Sequence, residues 1–173
     1  SKVGQLPKGM VTQLHFALIM AIDSKLLVLD EPTLGLDIVY RKRFYSALLD
    51  DYYDDEKTII ITTHQVEEIE NILTHLMFID GGELLLNASI DEIQARYTEL
   101  QMNTHEREQF DESSVTILDE QSRLGGVSII VDGADRAVLA ECGKLATPSI
   151  ADLFVAYVNA NSRAHGNEER RHG

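Results

Sequence analysis

Apolar and polar positions change their period several times along the chain, and each change predicts an element. Residues 10–22 are mostly apolar with Thr12, Gln13 and His15 interleaved, which predicts a largely buried helix starting just after Gly9. A short apolar run at 26–29 ends abruptly in Asp30, Glu31 and Pro32, the pattern of a parallel strand buried on both faces. Asp37 suits the N-cap of a helix reaching about residue 51, with Phe44, Leu48 and Leu49 turned inward. The acidic residues Asp50, Asp51, Asp54, Asp55 and Glu56 mark a solvated loop, and residues 58–62, apolar and β-branched, read as a second buried strand. After His64, Val66, Ile69, Ile72 and Leu73 fall at helical spacing, while Glu67, Glu68 and Glu70 take the other face.

Further on, residues 75–80 and 83–87 flank Gly81-Gly82, a hairpin signal. Ser89 with Glu92 forms a capping box that opens a short helix toward Tyr97. Strand and helix in alternation predict an α/β layered domain with a partly parallel sheet. The composition changes after residue 97. Residues 98–114 are polar and read as a linker, 115–118 and 127–131 as strands, and 135–142 as a helix. Ser149 with Asp152 caps a last helix to about residue 158, and residues 159–173 lack an apolar pattern and read as a disordered tail. The expected organisation is thus a domain over 1–97, a linker over 98–114, a small α+β extension over 115–158 and the tail.

Composition narrows the functional classes. With 44% hydrophobic residues among 173 there is material for a packed core, and the apolar stretch 16–22 falls far short of the roughly 20 residues that cross a bilayer. A formal net charge of −14 argues against binding nucleic acid, which needs Lys and Arg to displace counterions from phosphates. The single cysteine, Cys142, closes no intrachain disulfide, which suits a reducing compartment. The acidic pairs at 111–112 and 119–120 show no convergent spacing for a metal and read as a solvated face.

The chemistry-bearing positions cluster in the first half. Asp30 and Glu31 at the C-terminal end of an apolar strand stand where α/β sheets bind ligands. A carboxylate there suits Mg²⁺, a small hard cation held by one or two carboxylates plus phosphate oxygens, while its neighbour faces water. The second strand ends in Thr62-Thr63-His64, so if the two strands lie side by side His64 approaches the same ligand. Upstream, Leu6, Pro7, Lys8, Gly9 and Met10 form a loop feeding an apolar helix, where free N–H groups and the helix dipole favour phosphate.

The order and spacing of these segments resemble the C-terminal part of an ABC transporter nucleotide-binding domain, over about residues 5–97. Residues 6–10 are similar to the family's signature loop, 26–31 to its Walker B strand, 33–37 to its D-loop, and His64 to its switch histidine. The fold implied is the C-terminal part of a P-loop NTPase domain with a small α+β extension. By the same resemblance Asp30 contributes to Mg²⁺ binding, Glu31 is the general base for water, and His64 contacts the γ-phosphate of ATP. Residues 6–10 reach the nucleotide of a partner domain, and Gly35 and Asp37 communicate across that dimer. The implied protein is a cytoplasmic ATPase subunit on the inner face of a membrane, working with a transmembrane permease and a second ATPase domain, homodimeric or heterodimeric. Nucleic acid is not among its partners.

Two departures from the family pattern stand out. Pro7 occupies the position where the signature usually has Ser, removing a hydroxyl and an N–H donor together. The phosphate-cradling pattern G-x-x-x-x-G-K-[ST] does not occur in these residues, nor does a glutamine-bearing loop upstream, and in the family both precede the position of Ser1. The expectation is a C-terminal piece of a longer ATPase, inactive on its own. A soluble ABC-type ATPase acting on nucleic acid or ribosomes, and a non-catalytic remnant serving as an interaction module, stand as alternatives.

Overall fold

The computed structural model describes the backbone of residues 8–54 and 56–169 and the side chains of residues 10–11, 13–54 and 56–163. The chain divides into two compact units, Ser1–Ile69 and Glu70–Gly173.

In the first unit, helix α1 (Lys8–Met20) leads to strand β1 (Leu26–Asp30), helix α2 (Ile38–Ala47) and strand β2 (Thr58–Thr62). Strands β1 and β2 pair in parallel from Leu26↔Thr58 to Asp30↔Thr62, the side-by-side arrangement that the two apolar runs predict. Their burial differs from expectation. Leu29 is 6% exposed, but Leu26 and Val28 on the opposite pleat are 53% and 59% exposed, because these two strands form a sheet of two, with one face covered. Helix α1 likewise leaves Met10, Leu14 and Leu18 exposed where a buried helix is predicted, and stacks Phe16 on Phe44 of α2 at 4.1 Å between ring centroids.

Asp37 caps α2 as predicted, its side chain accepting from the Val39 and Tyr40 amides. The helix widens into a π-helical turn over Leu48–Tyr52, which buries Leu48 and Tyr52. After β2 the predicted helix is replaced by two 3₁₀ turns, Val66–Glu68 and Glu70–Ile72. Glu67 and Glu70 would be like-charged neighbours at i,i+3 on a helix, and the β-branched Val66, Ile69 and Ile72 also disfavour a regular helix.

The second unit opens on the Glu70–Ile72 turn and continues into the antiparallel hairpin of β3 (His75–Asp80) and β4 (Glu83–Ser89). Gly81 and Gly82 both take positive φ, +57° and +87°, as a tight two-residue hairpin requires. Helix α3 (Ile90–Arg96) starts at the predicted Ser89/Glu92 capping box. The hairpin and α3, read on the sequence with the first domain, belong to this unit.

Residues 98–114 are not a linker. Strand β5 (Tyr97–Asn103) lies inside a four-stranded antiparallel sheet ordered β6-β7-β5-β8, formed with β6 (Thr116–Arg123), β7 (Gly126–Asp132) and β8 (Lys144–Ala146); helix α4 (Thr104–Gln109) follows β5. One face of the sheet, Leu100, Met102, Ile129 and Val131, packs with Leu139 of helix α5 (Arg136–Leu139) as a core. The polar composition of β5 hides its burial: Glu99 is buried but accepts from the Ser128 hydroxyl and pairs with Arg123 at 3.2 Å. Helix α6 runs from Ile150 to Glu169, well past the predicted end at 158, so most of the expected tail is helical; residues 170–173 lie outside the described residues. Asn159 and Arg163 hold it to the buried Asp119, at 3.4 and 3.5 Å, and its own Leu153 and Ala156 are fully buried. Among the described residues no helix is long and apolar enough to cross a membrane.

Candidate functional site

The parallel register places Asp30 beside Thr62, so the residues that follow both strands emerge at one edge. The Glu31 amide continues the ladder, donating to the Thr62 carbonyl at 2.9 Å. Glu31 then turns away with φ +44°, the one non-glycine residue with positive φ among those described. Such a conformation costs on the order of 1–2 kcal/mol for a side chain with a Cβ. It aims the carboxylate at the loop after β2. There Oε1 accepts from the His64 amide at 3.0 Å and from His64 Nδ1 at 2.6 Å, and Oε2 accepts from the Thr63 hydroxyl at 3.2 Å. The hydrogen bond from the His64 ring holds the Glu31 carboxyl below the usual carboxylate range, with desolvation opposing and the His64 amide and charge and the Thr63 hydroxyl assisting. The pair faces solvent, its side chains 30% and 63% exposed for Glu31 and His64.

Asp30 is exposed and accepts a hydrogen bond from the Thr62 hydroxyl. Each carboxylate at the end of β1 is therefore met by a threonine from the end of β2. Thr62 and Thr63 were not singled out on the sequence; the signal available was a pair of hydroxyl residues directly before His64, opposite two acids in a parallel register.

The turn from Thr33 to Asp37 follows at once. Leu34 and Leu36 amides bond back to the Glu31 and Thr33 carbonyls at 3.1 and 3.0 Å, and Gly35 takes φ +80° with open space where a Cβ would stand. Asp37, expected to communicate across a dimer, spends one carboxylate oxygen on the α2 amides at 2.9 and 3.1 Å. Of the predicted phosphate loop, Leu6 and Pro7 lie outside the described residues. Lys8 and Gly9 are the first residues of α1, described in their backbone, and Met10 follows with its side chain half exposed.

The donors at this edge suit a hard cation bound to phosphate. Among the described residues no three His, Cys, Asp or Glu side chains converge into a cage. An exposed Asp30 carboxylate fits an ion that takes one protein carboxylate and draws its remaining ligands from phosphate and water.

No family model matches the chain. The ABC transporter ATP-binding protein YtrB of Bacillus subtilis (strain 168) is 32% identical over 101 residues, 58% of this chain and 35% of that protein. The energy-coupling factor transporter ATP-binding protein EcfA2 of Ligilactobacillus salivarius (strain UCC118) is 30% identical over 89 residues, 51% of this chain and 31% of that protein. Over about half its length the chain is similar to ATP-binding proteins of ABC transporters. It spans about a third of the length of these curated relatives, 35% and 31%. A solved structure of a putative cobalt transport ATP-binding protein (cbiO-2, ST1066) aligns with 79% of this chain and 46% of that one, at TM-score 0.47 and 15% identity. The Asp30–Glu31 and Thr62–His64 ends lie within the first unit and are adjacent in the structure.

Proposed function

We propose that this chain is the C-terminal part of an ATP-binding, ATP-hydrolysing subunit of an ABC membrane transporter. The observation that carries the reading is the Glu31 carboxylate held at the strand edge by His64 and Thr63, next to Asp30. Glu31 is the general base: deprotonated under ordinary conditions and fixed by three donors, it accepts the proton of the attacking water once His64 Nδ1 yields its place. His64, more exposed than Glu31 and able to donate, contacts the γ-phosphate and transmits its presence to Glu31. Asp30 would hold Mg²⁺, which when bound neutralises phosphate charge during in-line transfer. Residues 6–10, Gly35 and Asp37 serve the nucleotide across a dimer of two such domains.

The partners are a transmembrane permease subunit and the second ATPase domain, placing the subunit peripherally on the cytoplasmic face of the membrane. Hydrolysis belongs to the full-length subunit, and the 173-residue chain alone is inactive. The test begins with the coding sequence upstream of Ser1: an in-frame G-x-x-x-x-G-K-[ST] loop supports the reading, and a start codon at or near Ser1 sinks it. Purified full-length subunit with Glu31→Gln then loses turnover while still binding ATP.

A further inference from the structure

A second polar network lies against this site and is not used by the reading above. Arg41, in the first turn of α2, reaches two loops at once. Its Nε–H donates to the Leu36 carbonyl of the 33–37 turn at 2.7 Å. Its terminal nitrogen donates to Gln65 Oε1 at 2.7 Å and to the Glu68 carboxylate, both just after His64. The other Glu68 oxygen accepts from the Thr33 hydroxyl at 3.3 Å, and Thr33, 3% exposed, also shares a hydrogen bond with the buried Tyr45 hydroxyl at 3.3 Å. The path continues to the site: the Gln65 amide donates to Thr63 Oγ1 at 3.0 Å, and that hydroxyl donates to Glu31.

An isolated ion pair on a surface contributes little, but this cation is forked, partly buried, and shared among a backbone carbonyl, an amide and a carboxylate. Lys could satisfy one of those directions, not all three in a fixed plane. Across the 3₁₀ turn over Val66–Glu68, Gln65 and Glu68 stand three residues apart, the spacing that puts both on one side of the turn. We propose that Arg41 is a positioning residue, which locks the segment 63–68 to the 33–37 turn and so holds Thr63 and His64 on Glu31. The inference rests on the reading of Glu31 and His64 as the hydrolytic pair.

The test is steady-state ATP hydrolysis by the full-length subunit carrying Arg41→Ala, Arg41→Lys, Glu68→Gln or Arg41→Ala with Glu68→Gln, alongside Glu31→Gln. Misplacing groups in an active site lowers turnover, here kcat by about tenfold in Arg41→Ala, with KM for ATP within about twofold. Arg41→Lys fails to restore kcat, and the double variant is no worse than Arg41→Ala, since both act through one contact. Hydrogen exchange of the amides at 63–68 and 33–37 rises together in Arg41→Ala, with 26–30 unchanged. A folded Arg41→Ala subunit with parental kcat overturns the proposal while loss of turnover in Glu31→Gln leaves the functional reading intact. Should Arg41→Ala not fold, Arg41→Lys and Glu68→Gln decide: parental kcat in both overturns it. Retained turnover in Glu31→Gln removes the reading itself and the proposal with it.

Discussion

Asp37 offers a substitution series in which structural and functional roles separate. Its Oδ1 accepts from the Val39 and Tyr40 amides, two of the donors that the first turn of α2 would otherwise leave unpaired. Replacing such a cap by Ala costs about 1 kcal/mol, and losing a carboxylate at the positive end of the helix dipole costs roughly 0.3–1 kcal/mol more. Asp37 is exposed, so the dipole contribution falls in the lower half of its range, and Asp37→Ala is expected to destabilise α2 by about 1–1.5 kcal/mol. Asn caps nearly as well as Asp, so Asp37→Asn forfeits only the dipole part, roughly 0.3–0.5 kcal/mol. Because the chain has two compact units, a global melt mixes their transitions, and hydrogen exchange of the amides at 38–47 is the better assay. There 1.4 kcal/mol appears as about tenfold faster exchange, against about twofold for Asn. Equal effects of Asn and Ala, or unchanged exchange in Ala, would refute the capping argument. Asp37→Asn, with its helix intact, then isolates the charge that the family resemblance places at the dimer interface.

Other outcomes follow from the same structure. In Gly126→Ala the new Cβ would stand 2.0 Å from the Met102 carbonyl oxygen, so the β5–β7 pairing must shift and the second unit should lose its cooperative unfolding transition in circular dichroism. Leu153→Ala empties a fully buried position in α6 and should cost about 3 kcal/mol or more in urea denaturation followed by far-UV circular dichroism. Glu31 has a folded-state pKa below its ordinary 4.5, so the stability it contributes is present above 4.5 and lost as pH falls through the lower value. Carboxyl ¹³C NMR should show its titration moving up in His64→Ala, since the ring hydrogen bond is the largest cause of the depression; an unmoved midpoint would contradict that assignment.

The parts of the fold legible in the sequence were those set by local chemistry. Two apolar runs, ended by Asp30-Glu31 and Thr62-Thr63-His64, announced parallel neighbours, and Gly81-Gly82, Ser89/Glu92 and Asp37 announced a turn and two caps. Strand β5 was missed because Glu99 and Thr98 are polar yet buried, and only partners distant in sequence, Ser128 and Arg123, make that burial tolerable. Periodicity predicts a helix after His64 because it does not register the pull of Arg41 and Thr33 on Glu68. The end of α6 was missed for a similar reason, since Asn159 and Arg163 earn their place through Asp119, forty residues or more away in sequence. At the site, Asp30, Glu31 and His64 were legible from type and spacing, whereas Thr62, Thr63 and Arg41 became visible through the register of β1 on β2 and the path of the chain beyond it.

The central claim, that Glu31 is the base of an ATP hydrolysis site, is tested most directly by single-turnover hydrolysis of bound ATP in the full-length subunit with Glu31→Gln. The amide keeps the size and most of the hydrogen bonds of the carboxylate but cannot take a proton from water. The account predicts that ATP binds with near-parental affinity and stays unhydrolysed, with the rate down by a factor of about 10² or more. Hydrolysis of the bound nucleotide at the parental rate would contradict it.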